Sequence, residues 1–269
     1  MTLTIGTAPF ARPAGGAYNF DLEHTAPEHI LYLEDVQKRI RGMIAGETIV
    51  DTRRGEMLHE TGEFIQWYVP LDDVRTDLLE PGDHRTNDLY KGEASHYTLR
   101  VGDRTEVDAA WSYSQPPAEM RQLSGLVAFP FDRLDAWFEE DEQIIGHPRD
   151  PYHRFDCRRT SEHVEVRVGG EIVAETRRAV KLFETSIAPR YYIPFDDVKP
   201  ECLTPSATRG ICPYKGKEAY YTVHAGDTTI SDGAWIISEP FGEATAVVGH
   251  VSFWGEGTEV YADGQSTPI

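Results

Sequence analysis

The stretch ICPYKGKEAYYTV (Ile211–Val223) echoes NDLYKGEASHYTL (Asn87–Leu99), 124 positions earlier in the chain. The same offset joins Trp111 to Trp235, Tyr68 to Tyr192, Pro70 to Pro194 and Gly125 to Gly249. Aligned without a gap, residues 46–129 and 170–253 share 33 identities in 84 pairs, where ordinary composition gives about 5 by chance. A period this long marks duplication of a whole domain, since solenoid units are far shorter.

Two versions of one domain make its elements easier to read. Val164-Glu165-Val166-Arg167-Val168 alternates, Gly169-Gly170 supplies a tight turn, and Ile172-Val173-Ala174 returns, the signature of a hairpin. Residues 219–223 and 228–237 form a second hairpin around Ala225-Gly226-Asp227, matched in the first copy by 96–101 and 104–113. Pro70 and Pro194 each close a short aromatic strand before an Asp-Asp-Val turn. One short helix per copy is expected, near 118–124 and 242–248, each entered just after a proline. The fold class is therefore mainly β, with two tandem small β-tent or barrel-like domains, each with one short helix. The expected boundaries are an N-terminal arm at 1–35, a first β domain at 36–142, a polar connector at 143–161 and a second β domain at 162–269.

The 269 residues carry Asp+Glu 45 against Lys+Arg 26, for a net charge of −19. That balance, with no basic run, argues against nucleic acid and anionic membrane surfaces as partners. No long apolar segment reads as a membrane span, and the N-terminus has no signal-peptide pattern. Three cysteines are too few and too odd for a disulfide framework and suit a reducing, cytoplasmic setting. With no Cys-x-x-Cys and no His-x-x-x-His, the spacing supports no metal site, and no cofactor is indicated. A homodimer stays open.

The candidate chemistry gathers around the repeated words. Lys215, between Tyr214 and Gly216, and its counterpart Lys91, after Tyr90, can hold an ammonium over a concave sheet face and meet an anionic or carbonyl group; the plain alternative is a packed tyrosine, a solvated lysine and a turn glycine. Glu184, two residues after Leu182, and Glu60, two after Leu58, point inward by strand alternation. An inward glutamate paired with Lys215 or Arg178 is a candidate acid or base, or a structural ion pair. Trp111 and Trp235, with Tyr68 and Tyr192, read as core residues or as walls for a flat ligand. In Thr52-Arg53-Arg54 and Thr176-Arg177-Arg178, alternation sends one arginine of each pair inward; Arg54 and Arg178 are the candidates for a ligand anion. Cys212 stands where the first copy has Asp88 and, near Lys215, is a candidate nucleophile or a small buried hydrophobe. No histidine lies nearby in sequence to serve Cys212 as a base; His84, a further ligand-binding candidate, lies only in the first copy.

These words together resemble the proteins grouped as domain of unknown function 427, also labelled nucleotidyltransferase-like. The residues that carry the resemblance in the second copy are Glu184-Thr185, Tyr191 to Pro194, Asp197-Val198, Cys212 to Gly216, Ala234-Trp235 and Pro240. In the first copy they are Glu60-Thr61, Tyr68 to Pro70, Asp73-Val74, Tyr90 to Gly92, Ala110 to Tyr113 and Ala136 to Glu142. The connector HPRDPYHRFD (His147–Asp156) is similar to that of tandem members. The first copy departs by lacking the Cys-Pro before its Tyr-Lys-Gly. The resemblance implies a compact β domain of the β-tent or small-barrel kind with no settled activity. Nucleotidyl transfer itself needs a glycine-rich approach to paired, metal-holding aspartates, and Asp72-Asp73 has no such approach. The function expected is cytoplasmic small-molecule binding, with Lys215, Glu184 and Cys212 as catalytic candidates if an enzyme acts on a small polar anionic or carbonyl metabolite. A non-catalytic sensor or interaction scaffold is the alternative.

Overall fold

The computed structural model describes Asn19 and residues 27–269, which divide into two compact units between Asp150 and Pro151. The first contains β1 (Leu31–Asp35), β2 (Ile40–Ile44), β3 (Glu47–Thr52), β4 (Glu56–Glu60), β5 (Gln66–Pro70), β6 (Leu79–Asp88), β7 (Gly92–Val101), β8 (Arg104–Ser112), β9 (Leu126–Ala128), β10 (Ala136–Glu139) and β11 (Glu142–Ile144). They form a curled seven-stranded sheet in the order β1-β4-β5-β9-β8-β7-β6 and a four-stranded sheet in the order β11-β10-β2-β3.

The second unit repeats this with β12 (Phe155–Arg159), β13 (Val164–Val168), β14 (Glu171–Thr176), β15 (Val180–Glu184), β16 (Ile187–Pro194), β17 (Leu203–Cys212), β18 (Gly216–Ala225), β19 (Thr228–Pro240), β20 (His250–Phe253), β21 (Thr258–Ala262) and β22 (Gln265–Thr267). Its sheets run β12-β15-β16-β20-β19-β18-β17 and β14-β13-β21-β22. Strand for strand the two units share one antiparallel topology.

Period-two alternation decides which face of the large sheet does what. Met57, Trp67, Val69, Ala110, Val127 and Phe129 point to one side and join Ile40, Ile44, Ile49 and Val50 of the small sheet in one buried cluster. Leu58, Tyr68, Leu126 and Ala128, one residue out of phase, point to the other side and pack with Tyr113, Met120 and Leu123. The second unit divides the same way: Ile193, Val223, Val251 and Phe253 lie with Val164, Val166 and Val173, while Leu182, Tyr192, Trp235 and Ile237 lie with Val247. One face of each large sheet is thus a two-layer core, in which truncating Trp67 to alanine costs about 3–5 kcal/mol. The other face is only partly covered.

Several sequence expectations are adjusted. The expected short helices are present at Ala118–Leu123 and Gly242–Val247, as 3-10 turns. Six residues are too few to propagate an α-helix, and Met120 (φ −119°, ψ 24°) breaks the regular geometry. Leu31–Asp35, at the end of the expected arm, pairs along its length with β4 and belongs to the first sheet; the rest of that arm lies almost wholly outside the described residues. Likewise β11 runs from the end of the expected first domain into the expected connector and β12 lies within that connector, yet both are edge strands of their units. Their polar sequences hide them, because edge strands bury little. Among the described residues no helix is long and apolar enough to cross a membrane.

The glycine of each Tyr-Lys-Gly turn is a conformational requirement. Gly92 has φ +88° and Gly216 φ +125°, the left-handed side that side chains disfavour. A Cβ at 216 would sit 2.0 Å from the Glu239 carbonyl oxygen, whereas one at 92 would come no closer to any atom than 3.3 Å, at the Pro117 ring. Gly216→Ala is therefore expected to destabilise by more than about 3 kcal/mol and Gly92→Ala by about 1–2 kcal/mol; urea unfolding of the two variants measures the difference.

Candidate functional site

The turn between β6 and β7 delivers Lys91 to the partly covered face of the first sheet. Lys91 is only 7% exposed, and a buried ammonium needs carboxylate partners. It finds Glu60 Oε2 at 2.5 Å, from the end of β4, and Asp88 Oδ2 at 2.9 Å. Asp88 also accepts the backbone N–H groups of Tyr90 and Lys91, each at 2.8 Å, and so shapes the turn that presents the lysine. Burial alone would lower the Lys91 pKa, but hydrogen bonds to Glu60 and Asp88 outweigh it and raise the value.

Glu60 has a second partner, His29, whose Nε2 lies 2.9 Å from Glu60 Oε1. The His29 ring stacks on Tyr90 with centroids 4.1 Å apart and planes 7° from parallel. The next residues of both segments are tied as well: Ile30 N–H donates to Thr61 Oγ1 at 3.0 Å.

The second unit repeats the constellation. Lys215 Nζ donates to both oxygens of Glu184 at 2.8 and 2.6 Å, His153 Nε2 lies 3.0 Å from Glu184 Oε1, and Tyr214 packs 4.3 Å from the His153 ring. Arg154 N–H donates to Thr185 Oγ1 at 3.0 Å. Burial would raise the Glu184 carboxyl, but His153 and the Lys215 ammonium outweigh it and hold the pKa below the usual range. The repeated words Tyr-Lys-Gly and Glu-Thr are thus two halves of one contact: Tyr on His, His on Glu, Glu on Lys.

Each constellation borders a cavity on the same sheet face, about 480 Å³ in the first unit and about 210 Å³ in the second. The two linings correspond at the 124-residue offset. Leu58, Glu60, Tyr68, Lys91 and Trp111 of the first are Leu182, Glu184, Tyr192, Lys215 and Trp235 of the second. In both, tyrosine and tryptophan meet edge to face, at 6.3 Å for Tyr68–Trp111 and 6.2 Å for Tyr192–Trp235. Burial pushes the Tyr68 and Tyr192 hydroxyls well above the ordinary tyrosine range, so both stay protonated.

The remaining lining differs, and the differences take the charge from net negative to balanced. The first cavity also presents Glu63, Asp88, His84, His96 and Asp108, placing four carboxylates against one lysine. The second presents Arg190, Glu218, Tyr220 and Trp254, placing two carboxylates against a lysine and an arginine. The Arg190 guanidinium lies 5.2 Å over the Trp235 ring, and Trp254 meets Trp235 edge to face at 6.1 Å. Among the described residues no carboxylate lies within ion-pair distance of Arg190.

Several sequence candidates sit elsewhere. Arg54 and Arg178 do not enter a cavity: each is exposed and paired, Arg54 Nη2 with Asp73 Oδ1 at 2.6 Å and Arg178 Nη2 with Asp197 Oδ1 at 2.5 Å. Thr52 and Thr176 donate to the same aspartates at 2.6 Å. Thr-Arg-Arg and Asp-Asp-Val are a clamp fastening the small sheet to a 3-10 turn, which also occupies the second aspartate of each Asp-Asp pair. Tyr90 and Tyr214 act through their histidines instead of lining a cavity. Cys212, half-buried, ends β17 where it pairs with Gly216, outside the cavity lining. His29 and His153 were missed by sequence reasoning, although they lie 124 apart; the repeat comparison simply starts too late in the chain to include them. Arg190 and His96 were missed because their counterparts differ.

A family model described as a domain of unknown function (DUF427) matches residues 32–140 and again 156–264. No curated protein matches the chain.

The depressed Glu184 pKa fixes a sign. Its stabilising contribution is present above the unfolded glutamate value near 4.3 and is lost as pH falls through the lower folded value. Glu184→Gln is expected to destabilise the second unit by about 3–5 kcal/mol at pH 7, by stranding the buried Lys215 ammonium, and to flatten the acid limb of stability against pH. The Glu184→Leu/Lys215→Met double variant is expected to regain most of that loss. Thermal unfolding from pH 3 to 8 measures all three effects.

Proposed function

This chain belongs to the DUF427 family, and we propose that its two β domains are small-molecule-binding modules, the second accommodating a small, flat, anionic ligand. The observation that carries this reading is Arg190. It is a cation on a cavity wall, stacked on Trp235 and without a carboxylate partner. A guanidinium over an indole and clear of any carboxylate has donors to spare, and a planar guanidinium can meet a carboxylate or phosphate through two parallel hydrogen bonds. Trp235, Trp254, Tyr192 and Leu182 supply apolar walls, and Glu218 and Tyr220 supply polar ones. At about 210 Å³ the cavity is below the 300–1,000 Å³ usual for drug-sized ligands, which suits a metabolite of about ten non-hydrogen atoms.

In this reading Lys215 and Glu184 form the floor of the site. Each neutralises the other, so neither offers an unpaired group to bind an anion, and the Glu184 carboxyl is held below the usual range, away from the near-neutral value that general acid–base chemistry favours. That balance favours binding over catalysis, and the hollow on each sheet face favours both over a purely structural scaffold. The net charge of −19 disfavours nucleic acid, and three free cysteines fit a reducing cytoplasm.

The test uses benzoate and inorganic phosphate as probes, followed by tryptophan fluorescence and thermal shift, with native mass spectrometry of freshly purified chain to detect a retained compound. Saturable binding of benzoate is expected. Arg190→Gln should weaken it at least tenfold, while Arg178→Gln, whose guanidinium lies on Asp197, leaves it unchanged. Equal loss in both variants, or no saturable binding and no retained compound, overturns the reading.

A further inference from the structure

The first cavity holds a cluster with no counterpart in the second. His84 on β6, His96 on β7 and Asp108 on β8 come from three neighbouring strands, and each offers a ligand atom within 4.8 Å of the others. His84 Nδ1 lies 2.9 Å from Asp108 Oδ2, and the two imidazoles stack with centroids 4.3 Å apart. One ring nitrogen of His96 is held by Thr86 Oγ1 at 2.9 Å, the kind of outer hydrogen bond that orients a ligating imidazole. Register shifts between Pro81 and Arg85 and between Tyr97 and Leu99 turn these side chains together, as bulges do beside functional sites. Asp108 itself adopts φ +53°, a strained conformation for a residue with a side chain.

Comparison with the second unit separates scaffold from site. Asp232 has the same φ of +53°, but it accepts from Thr208 Oγ1 at 2.8 Å, where the first unit has His84. Tyr220 replaces His96 and donates to Glu218. The aspartate and its backbone occur twice, whereas both nitrogen donors occur once. They occur in the cavity whose lining sets four carboxylates against one lysine, a field that attracts cations.

We propose that the first unit binds a divalent first-row transition ion through His84, His96 and Asp108, with its open coordination positions facing the cavity. Two imidazoles and one carboxylate favour zinc, iron(II), manganese or cobalt over calcium and magnesium, which prefer all-oxygen shells. Three protein ligands leave positions for water or an exogenous ligand, as in sites that act on a bound molecule. Ligand atoms around a tetrahedral ion with bonds of about 2.1 Å lie about 3.4 Å apart, so closing the cluster takes about an ångström of side-chain adjustment. On binding, bonds to the ion replace the His84–Asp108 hydrogen bond.

The test titrates chelator-treated full chain with Co²⁺ and Zn²⁺, read by visible absorption and by metal analysis after desalting. One ion per chain is expected, with Co²⁺ d–d bands and no thiolate charge-transfer band. His84→Ala and His96→Ala should each weaken binding more than about 100-fold, beyond the cost of losing an outer-sphere partner. Thr208→Ala, at the equivalent place in the second unit, should leave it unchanged. If His96→Ala fails to fold, the exposed His84 carries the test alone. Failure to bind Co²⁺ at micromolar concentration, a thiolate band, or full-strength binding by His84→Ala overturns the proposal.

Discussion

A lysine taken out of water must bring its counter-charge with it, and much of each domain is arranged around that requirement. Lys91 and Lys215 reach the face of the sheet only because a glycine permits the turn behind them, and they stay there only because Glu60 and Glu184 lie at the matching height on β4 and β15. The glutamates in turn hold His29 and His153, and the histidines hold the tyrosines that precede the lysines. Three segments distant in sequence are closed into one loop of contacts. Removing Glu184 leaves the Lys215 ammonium without its carboxylate, which costs more than the intact pair contributes.

Legibility of the fold followed the length scale of the interactions. Alternation in Gln66-Trp67-Tyr68-Val69-Pro70 was readable because neighbouring side chains of a strand must face opposite ways, and Trp67 and Tyr68 do lie in different clusters. The placement of Glu60 and Glu184 beside Lys91 and Lys215 followed from the same rule together with the duplication. The arginine pairs misled because β3 and β14 end at Thr52 and Thr176. Beyond a strand end alternation no longer applies, and both arginines of each pair are exposed. The histidine cluster of the first cavity has spacings of twelve residues, one per strand, which match no local motif. They become neighbours only through strand registers displaced by bulges, and a sequence does not display register.

Duplication with an unbroken backbone and altered linings separates what the fold requires from what each cavity contains. The Thr-Arg-Asp clamp, the Tyr-His-Glu-Lys loop and the edge-to-face Tyr–Trp pair occur in both units and account for most of the shared words. On the cavity walls Gln66 becomes Arg190, His96 becomes Tyr220 and Pro130 becomes Trp254, while Asp88 gives way to Cys212, which lies off the second wall. A carboxylate-rich hollow and a charge-balanced, indole-lined one have been built on the same strands.

His29 and His153 stand just before the first strand of their units, in stretches that bury little and look dispensable by sequence. Each is nevertheless wedged between a glutamate at a strand end and the tyrosine of the turn that carries the lysine. Anyone cutting the chain into single domains at the strand boundaries would discard these wedges. A faithful half-molecule keeps residues 27–30 with the first half and 151–154 with the second.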